Sequence, residues 1–322
     1  MYGHVMFNGH SNLVDTIHRS ALQVGGLQLY AALDNPSTMI SPDEMDEHIK
    51  LGALHEPFSR LTRDNIVHSY HALLSESFNK TICFRDDMVV GLSGGLDHYN
   101  VNVPGTAWAD YGRFMTGLMG LPESYLSTTS DPNCVVTIIS RSKNRRILNE
   151  IQLEAASRKL NCTAQIVAFE RCTFTEQLAY MRNSTILVGI DGSGLLNAGF
   201  MRNCSTVIRI MPWGSCNEHI GNLVHKGENF KNLAEKVAGT WISYCITDRR
   251  HTVYHRHTDP AIFDLLNQTG MDAASLKIAK KFTHEQRLQF FLSQDSIVDA
   301  SEFVTLIKQA VEKNAACQLH RH

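Results

Sequence analysis

The stretch ILVGIDGSGLLNAGFM (Ile186–Met201) combines a buried strand, a glycine turn and the start of a helix. The residues before Asp191 are apolar throughout, which is typical of a strand that other layers cover on both faces. In the turn Gly192-Ser193-Gly194, small residues let backbone N–H groups approach an anion, and the helix N-terminus adds partial positive charge. Tight turns between a strand and a helix also need glycine for backbone reasons alone. The stretch therefore indicates a phosphate site if a neighbouring strand contributes to it.

The regions on either side of this stretch repeat the alternation of strand and helix. Short apolar and β-branched runs at 135–139, 164–169, 185–190 and 206–210 predict strands. Because segments with helical periodicity separate these runs, we expect a parallel sheet wound by crossover helices. The region from Cys134 to Ile210 is therefore predicted to form a Rossmann-type α/β domain.

The predicted crossover helices occupy residues 145–160, 173–182 and 194–202. The second of them begins with the capping box Thr173-x-x-Glu176. The positions predicted to face the core of the first two helices are Ile147, Leu148, Ile151, Ala155, Phe174, Leu178 and Met181.

A polar stretch with a proline, STTSDPNC (Ser127–Cys134), is the best candidate for a linker. It predicts an N-terminal α/β domain over 1–128 and a Rossmann-type domain over 129–297. Residues 298–322 then form a C-terminal helix and tail, with the helix capped by Asp299-x-x-Glu302. The apolar face of this helix consists of Phe303, Leu306, Ile307, Ala310 and Val311.

A second arm of the predicted site is the basic segment SRSKNRRILNE, just past the strand at 135–139. It carries Arg141, Arg145 and Arg146 at the carboxyl end of that strand, the edge where open α/β sheets bind ligands. The planar fork of a guanidinium group suits a diphosphate. Arginines here and a glycine turn on a neighbouring strand together favour a diphosphate ligand.

Other motifs in the chain are weaker. The dinucleotide fingerprint Gly-x-Gly-x-x-Gly is not met, because Asn197 stands at its third glycine. Arg209 stands where an NAD enzyme places an acid for the ribose, so a binding site for NADP stays open as an alternative. Gly91-Leu-Ser93-Gly94-Gly95 matches a nucleophile elbow, but a loop pattern follows it rather than the required helix. His251, His255 and His257 are interpreted as surface histidines on a loop.

Composition excludes several classes of protein. The chain has 322 residues and a net charge of −2, without the basic stripe of a nucleic-acid binder. Its longest apolar run, Met88–Leu92, is far short of the roughly 20 residues that span a bilayer, and no signal-peptide pattern is visible at the start. The eight cysteines include no Cys-x-x-Cys pair, so a structural zinc site is not expected. Glycosylation sequons, which weakly favour a secretory lumen, occur at Asn79, Asn161, Asn183, Asn203 and Asn267.

The arms SRSKNRRILNE, FTEQL and GIDGSGLLNAGFM, in this order, resemble glycosyltransferase family 61. The resemblance implies a GT-B fold, in which two Rossmann-type domains with parallel sheets face a cleft. It implies an inverting enzyme that transfers a sugar, N-acetylglucosamine or a pentose, from a UDP-sugar to a hydroxyl of a protein or polysaccharide. No cofactor or metal is required, and family members work in the lumen of the endoplasmic reticulum or Golgi. The C-terminal helix is expected to cross back onto the first domain.

The resemblance also assigns roles to residues. The donor-binding residues it implies are Arg141, Arg145, Asn149, Gln177, Gly192, Ser193, Gly194, Asn197 and Arg209. Asp15, with His10 as the alternative, matches the family's candidate for the general base that takes the proton of the acceptor hydroxyl. Asp191 occupies the position of the family's histidine and is included among the catalytic candidates.

Two residues depart from the family pattern: Asp191 replaces a histidine, and Arg209 replaces an acid on the following strand. Because the two positions lie at the carboxyl ends of neighbouring strands, we expect the side chains to form an ion pair of reversed sign. Such a pair keeps the glycine turn usable but removes a contact that the acid normally makes. The alternatives are therefore an active transferase with a different donor and a catalytically impaired relative that binds a sugar nucleotide or glycan.

Overall fold

The computed structural model describes residues 30–31, 68–69, 105–126, 133–215, 231, 234–235, 237–269, 282–283, 286 and 290–319. The predicted catalytic residues His10 and Asp15 lie outside these residues, as do the elbow motif at 91–95 and most of the predicted N-terminal domain. The prediction of a second Rossmann-type domain, and with it the GT-B arrangement, therefore stays a prediction.

A five-stranded parallel sheet forms the centre of the described fold. In chain order its strands are β3 (Val135–Ile139), β4 (Thr163–Val167), β5 (Ile186–Ile190), β6 (Ser205–Met211) and β7 (Gly239–Cys245), and their order in space is β4-β3-β5-β6-β7. Four of these strands are the ones predicted from the apolar runs, so the prediction of an α/β fold with a parallel sheet is confirmed. Two short pairs accompany the sheet: β1 (Tyr30–Ala31) with β2 (His68–Ser69) in parallel, and β8 (Thr252–Val253) with β9 (Asp295–Ser296) antiparallel.

Helices cover both faces of this sheet. The α-helices are α1 (Gly105–Leu118), α2 (Glu150–Arg158), α3 (Phe174–Asn183), α4 (Pro260–Thr269) and α5 (Ala300–Leu319). Short 3₁₀ helices lie at Glu123–Leu126, Phe169–Arg171, Ser193–Phe200 and Arg249–His251. Side chains alternate along the strands, so that Leu187 and Val207 pack with α1 and α3 on one face, whereas Val188 and Ile208 pack with α2, α4 and α5 on the other.

The predicted buried face of the first crossover helix is wrong except at Ile147, which is buried. Ile151 is 76% exposed and Leu148 is 44% exposed, whereas Leu153 and Ala156 are buried. The reason is that α2 begins only at Glu150, because the four residues before it pair with a distant segment instead of forming a first helical turn.

Other helix predictions are confirmed. The capping box of α3 is present, with the Thr173 side chain accepting from Glu176 N and the Glu176 carboxylate accepting from Thr173 N. Asp299 caps α5 by accepting from Ser301 N and Glu302 N. The segment predicted as a helix after the glycine turn is a 3₁₀ helix, Ser193–Phe200.

Disulfide bonds fasten the sheet to its surroundings. Cys134–Cys162 links the residues that precede β3 and β4, and Cys204–Cys317 links the residue before β6 to the end of α5. Helix α5 contacts α2, β6 and β7, so it packs on the sheet domain itself. Cys172 is a free thiol. Within the described ranges, no helix has the length and apolar character needed to cross a membrane.

Candidate functional site

The strand order places a crevice between the carboxyl ends of β3 and β5. From β3 the chain crosses to β4 on one side, and from β4 it returns past β3 to β5 on the other side. Ligands of open α/β sheets bind where the winding direction reverses in this way. The segment that follows β3 contains Arg141 and Arg145, and the segment that follows β5 is the glycine turn. Both arms expected for an anion site therefore meet at the reversal point.

Gly192 lies in contact with two guanidinium groups. A β-carbon at this position would lie 2.9 Å from Nη1 of Arg141 and 2.9 Å from Nη1 of Arg145. Arg145 Nη1 also donates to the carbonyl oxygen of Asp191, at 3.1 Å. Gly192 has φ 157° and ψ 176°, a combination that residues with a β-carbon rarely adopt. Close approach and backbone conformation both explain glycine here.

The two guanidinium groups carry donors that no described residue engages. Within the described part of the chain, Arg141 makes no hydrogen bond or ion pair, and Arg145 Nε is buried without a hydrogen-bond partner. Burial lowers the pKa of Arg141, and the charge of Arg145 lowers it further, although Glu170 and Asp191 oppose this. Burial likewise lowers the pKa of Arg145 against the charge of Asp191. Positive charge that is partly desolvated and incompletely matched favours an anionic ligand.

Arg145 itself has a left-handed backbone, with φ 57°. A residue with a β-carbon in this region costs about 1–3 kcal/mol and persists only where its surroundings impose it. Such residues concentrate at binding sites, because a fixed side-chain position repays the cost in function. The contacts that hold Arg145 in this conformation are therefore part of the site.

Asp191 and Arg209 form the predicted ion pair. Arg209 Nε donates to Asp191 Oδ1 at 2.6 Å, and the two side chains are only 8% and 9% exposed. Asp191 N also donates to Ile210 O, which continues the ladder between β5 and β6. Arg209 thus neutralises the Asp191 carboxylate at the mouth of the turn. The catalytic role of Asp191 and the donor-binding role of Arg209 stay predictions, and both side chains are engaged with each other.

The remaining predicted donor-binding residues make contacts within the protein that support the site. Asn149 donates to Val298 O and accepts from Val298 N, at 2.8 and 3.0 Å. The amide of Gln177 donates to two carbonyl oxygens of the loop after β4, Phe169 O and Cys172 O. Asn197 donates to Gly194 O, and its buried Oδ1 has no hydrogen-bond partner among the described residues. Gly194 packs on Ile139, and the side chain of Ser193 lies outside the described part of the structure.

Arg146 does not join the other two arginines. Its guanidinium group bonds Asp295, 149 residues away in sequence, with Nε 2.8 Å and Nη2 2.5 Å from Oδ2. The expected cluster therefore consists of Arg141 and Arg145.

Asp295 and Glu150 are polar residues of this region that sequence reasoning missed. Burial on its own raises the pKa of Asp295, but hydrogen bonds from Arg146 and His255 outweigh burial and lower it. Burial raises the pKa of Glu150, which a hydrogen bond from Ser140 and the charge of Arg146 oppose. Nothing in the sequence around Asp295 marks it, because its partners are brought to it only by the fold.

The sequence of the chain is similar to those of known glycosyltransferases. The profile of the family described as Glycosyltransferase 61 matches residues 2–208. The chain is 25% identical over 188 residues to the alpha-1,3-arabinosyltransferase XAT2 of Oryza sativa subsp. japonica, covering 52% of this chain and 31% of that protein. It is 27% identical over 226 residues to the protein O-linked-mannose beta-1,4-N-acetylglucosaminyltransferase 2 of Xenopus laevis, covering 66% and 36%.

A shorter match reaches higher identity: the EGF domain-specific O-linked N-acetylglucosamine transferase of Drosophila melanogaster is 39% identical over 79 residues, 23% of this chain and 15% of that protein. The aligned regions thus span about a third or less of the length of these relatives. Since the family profile covers more than half of the chain and includes both arms of the crevice, the chain belongs to the glycosyltransferase 61 family.

Proposed function

We propose that this chain binds a nucleoside diphosphate sugar, UDP-linked, in the crevice between β3 and β5 and acts as an inverting glycosyltransferase. The observation that carries the proposal is the approach of Arg141 and Arg145 to Gly192, with guanidinium donors that the described residues leave open. Two forked cations beside a glycine turn at a topological switch point complement a diphosphate in charge and in geometry. Membership of the family supports the same ligand class.

The proposed reaction is a single displacement at the anomeric carbon of the sugar. The acceptor hydroxyl oxygen forms the new bond to this carbon while the bond to the diphosphate oxygen breaks, and the electron pair leaves with the diphosphate. Arg141, Arg145 and the backbone N–H groups of the 192–194 turn stabilise that developing charge. The hydroxyl proton passes to a general base, for which Asp15, with His10 as the alternative, remains the prediction. In this reaction Arg141 and Arg145 neutralise the diphosphate leaving group, without a metal ion.

The transferred sugar and its acceptor are proposed from the relatives. Their names specify transfer of arabinose in one case and of N-acetylglucosamine in the others, to O-linked mannose or to EGF domains. For this chain we propose N-acetylglucosamine or a pentose, and a hydroxyl of a protein or polysaccharide as acceptor. Disulfide bonds form and persist in oxidising compartments, so Cys134–Cys162 and Cys204–Cys317 support a place in the secretory lumen, in the endoplasmic reticulum or Golgi.

A specific observation favours a second candidate, a relative that binds the donor without transferring the sugar. Asp191 stands in place of the family's histidine, and its carboxylate is held by Arg209 at 2.6 Å. The NADP-dependent oxidoreductase is less well supported, because the side chain of Arg209 is 8% exposed and paired with Asp191 rather than open to a 2′-phosphate.

Calorimetric titration of the full chain with UDP, UDP-N-acetylglucosamine, UDP-arabinose and NADPH tests the proposal. We expect UDP to bind, and Arg141→Met or Arg145→Met to weaken it by about 10- to 100-fold, the value of a charged hydrogen bond. Arg158→Met is the matched control, because Arg158 is 63% exposed and pairs with Glu154 on the surface of α2.

The outcomes separate the candidates. Binding of NADPH without binding of UDP would contradict both the active glycosyltransferase and the impaired relative that binds a UDP-sugar. Binding of UDP-sugars without hydrolysis or transfer to any hydroxyl acceptor would favour the impaired relative.

A further inference from the structure

We propose that Asp295 is a positioning residue of the diphosphate site, acting through Arg146 to hold Arg145 in its left-handed conformation. The assignment rests on the proposed function, because it concerns the same two arginines. Asp295 lies 149 residues from Arg146 in sequence, in the short strand β9.

Asp295 accepts hydrogen bonds from both the backbone and the side chain of Arg146. Its Oδ1 accepts from Arg146 N at 2.9 Å, and its Oδ2 accepts from Arg146 Nε at 2.8 Å and Nη2 at 2.5 Å. The Asp295 side chain is completely buried, and His255 Nε2 lies 2.9 Å from Oδ2 on another side. A carboxylate bound in this way has a fixed position, so the residue that it binds is fixed as well.

The backbone next to this contact strengthens the attachment. Ser296 N donates to Arg146 O, and Leu148 N donates to Ser296 O, each at 2.8 Å. Ile147 and Ser296 therefore form a parallel bridge, and Asn149 continues the attachment through its two bonds to Val298. Hydrogen bonds thus attach residues 146–149 to residues 295–298 along their whole length. We call this set of bonds the 146–149 clamp.

The clamp begins one residue after Arg145, whose φ of 57° is unfavourable for a residue with a β-carbon. On its other side, Arg145 is held by the bond from its Nη1 to Asp191 O. The peptide after Arg145 cannot rotate freely, because its N–H is bonded to Asp295. The clamp consequently fixes the direction in which the Arg145 side chain leaves the backbone, and with it the position of Nη1 beside Gly192.

The anchor of the clamp belongs to a rigid part of the fold. Gln294 and Ser296, on either side of Asp295, are completely buried, and Asp299 caps α5 shortly afterwards. Helix α5 is attached to β6 through Cys204–Cys317. Packing of the C-terminal segment therefore preorganises the donor site at the other end of the sheet domain.

A double-mutant cycle in the full chain tests this role, with UDP affinity measured by calorimetry. We expect Asp295→Asn to weaken UDP by about tenfold or more, since small misplacements of binding groups are costly. In an Arg145→Met background the same change is expected to cost less than about twofold, because the group that it positions is already absent. A purely structural role would instead lower the active fraction, read from the binding stoichiometry, and act equally in both backgrounds.

Asp264→Asn is the matched control, because it removes the carboxylate of an exposed pair with Arg256 and leaves the site untouched. Arg146→Met serves if Asp295→Asn does not fold, since the Arg146 side chain is 40% exposed and its backbone bond to Asp295 persists. We expect it to weaken UDP by about threefold, again only when Arg145 is present.

Equal losses in the two backgrounds, or no loss in either, would overturn the positioning role while UDP binding by the unmodified chain leaves the proposed function standing. If the unmodified chain does not bind UDP, the proposed function and this assignment both fail.

Discussion

Asp191 Oδ1 lies 2.6 Å from Arg209 Nε in an almost completely buried ion pair that joins the ends of β5 and β6. The resemblance to the family implies a histidine at position 191 and an acid at position 209, and by that comparison the acidic and basic members have exchanged strands. The exchange explains how an aspartate is tolerated beside a site for an anion: its charge is taken up by Arg209, so the charges of Arg141 and Arg145 remain available. Arg209 therefore compensates the negative charge of Asp191 beside the anion site, and Asp191 compensates the buried positive charge of Arg209.

Breaking this pair from one side should destabilise the fold. Asp191→Asn or Arg209→Met alone is expected to lower the free energy of unfolding by about 3–5 kcal/mol, because each leaves an uncompensated buried charge or donor. The double variant Asp191→Asn/Arg209→Met should lose less than the sum of the single losses. Urea unfolding followed by circular dichroism measures all of these values. Strictly additive losses would mean that the pair is not an energetic unit.

The same single variants should shift ligand affinity in opposite directions. Asp191→Asn removes a negative charge beside the arginines and is expected to strengthen UDP binding roughly three- to tenfold, whereas Arg209→Met leaves that charge uncompensated and should weaken binding by a similar factor. Both shifts should shrink as salt is raised, since salt screens charges of this kind. Calorimetry at low and high salt checks the signs, and a change in the same direction for both variants would refute the electrostatic account.

Gly192 offers a test of the contact between the two arms. In Gly192→Ala the new methyl group would meet Arg141 Nη1 and Arg145 Nη1 at 2.9 Å, so we expect both groups to be displaced and UDP to bind at least about tenfold more weakly. The control is Gly117→Ala in α1, where no atom of the described residues outside the helix's own backbone lies within 4 Å of the added carbon. That control should bind UDP normally and gain about 0.5–1 kcal/mol of stability from helix propensity. Normal UDP affinity in Gly192→Ala would show that the arginines bind no diphosphate there.

The disulfide Cys204–Cys317 should contribute strongly to stability. It closes a segment of 113 residues and holds α5 on β6, so Cys204→Ser/Cys317→Ser is expected to lose about 2–5 kcal/mol of unfolding free energy. Cys172→Ser is the control, because Cys172 is a free thiol. Thermal unfolding with and without a reductant measures the difference, and an unchanged melting temperature on reduction would argue against the bond.

Local signals in the sequence are sufficient to predict much of the sheet domain. Buried parallel strands need uninterrupted apolar runs, so β3, β5 and β6 are visible as such, and the bonds within a capping box depend only on residues three apart. The Asp191–Arg209 contact was predictable because parallel strands that follow one another bring their carboxyl ends together.

Long-range pairing explains the features that sequence reasoning did not find. Arg146 was grouped with Arg141 and Arg145 by its position in the chain, but its partner Asp295 lies 149 residues away in a strand of two residues. The same pairing removes residues 146–149 from α2 and so shifts the buried face of that helix. No periodicity within the segment itself records a partner so distant.

The pH dependence of stability should report on Asp295. Hydrogen bonds from Arg146 and His255 outweigh burial and hold the pKa of Asp295 below the ordinary value of 3.8. A carboxyl group whose pKa is depressed by folding contributes stability above its unfolded pKa, and this contribution is lost as the pH falls through the folded value. The difference in unfolding free energy between the unmodified chain and Asp295→Asn should therefore shrink as the pH falls below about 4. Urea unfolding at a series of pH values measures it. A difference that instead grows toward acid pH would mean that folding favours the protonated carboxyl group, and the clamp on Arg146 would then not depend on its charge.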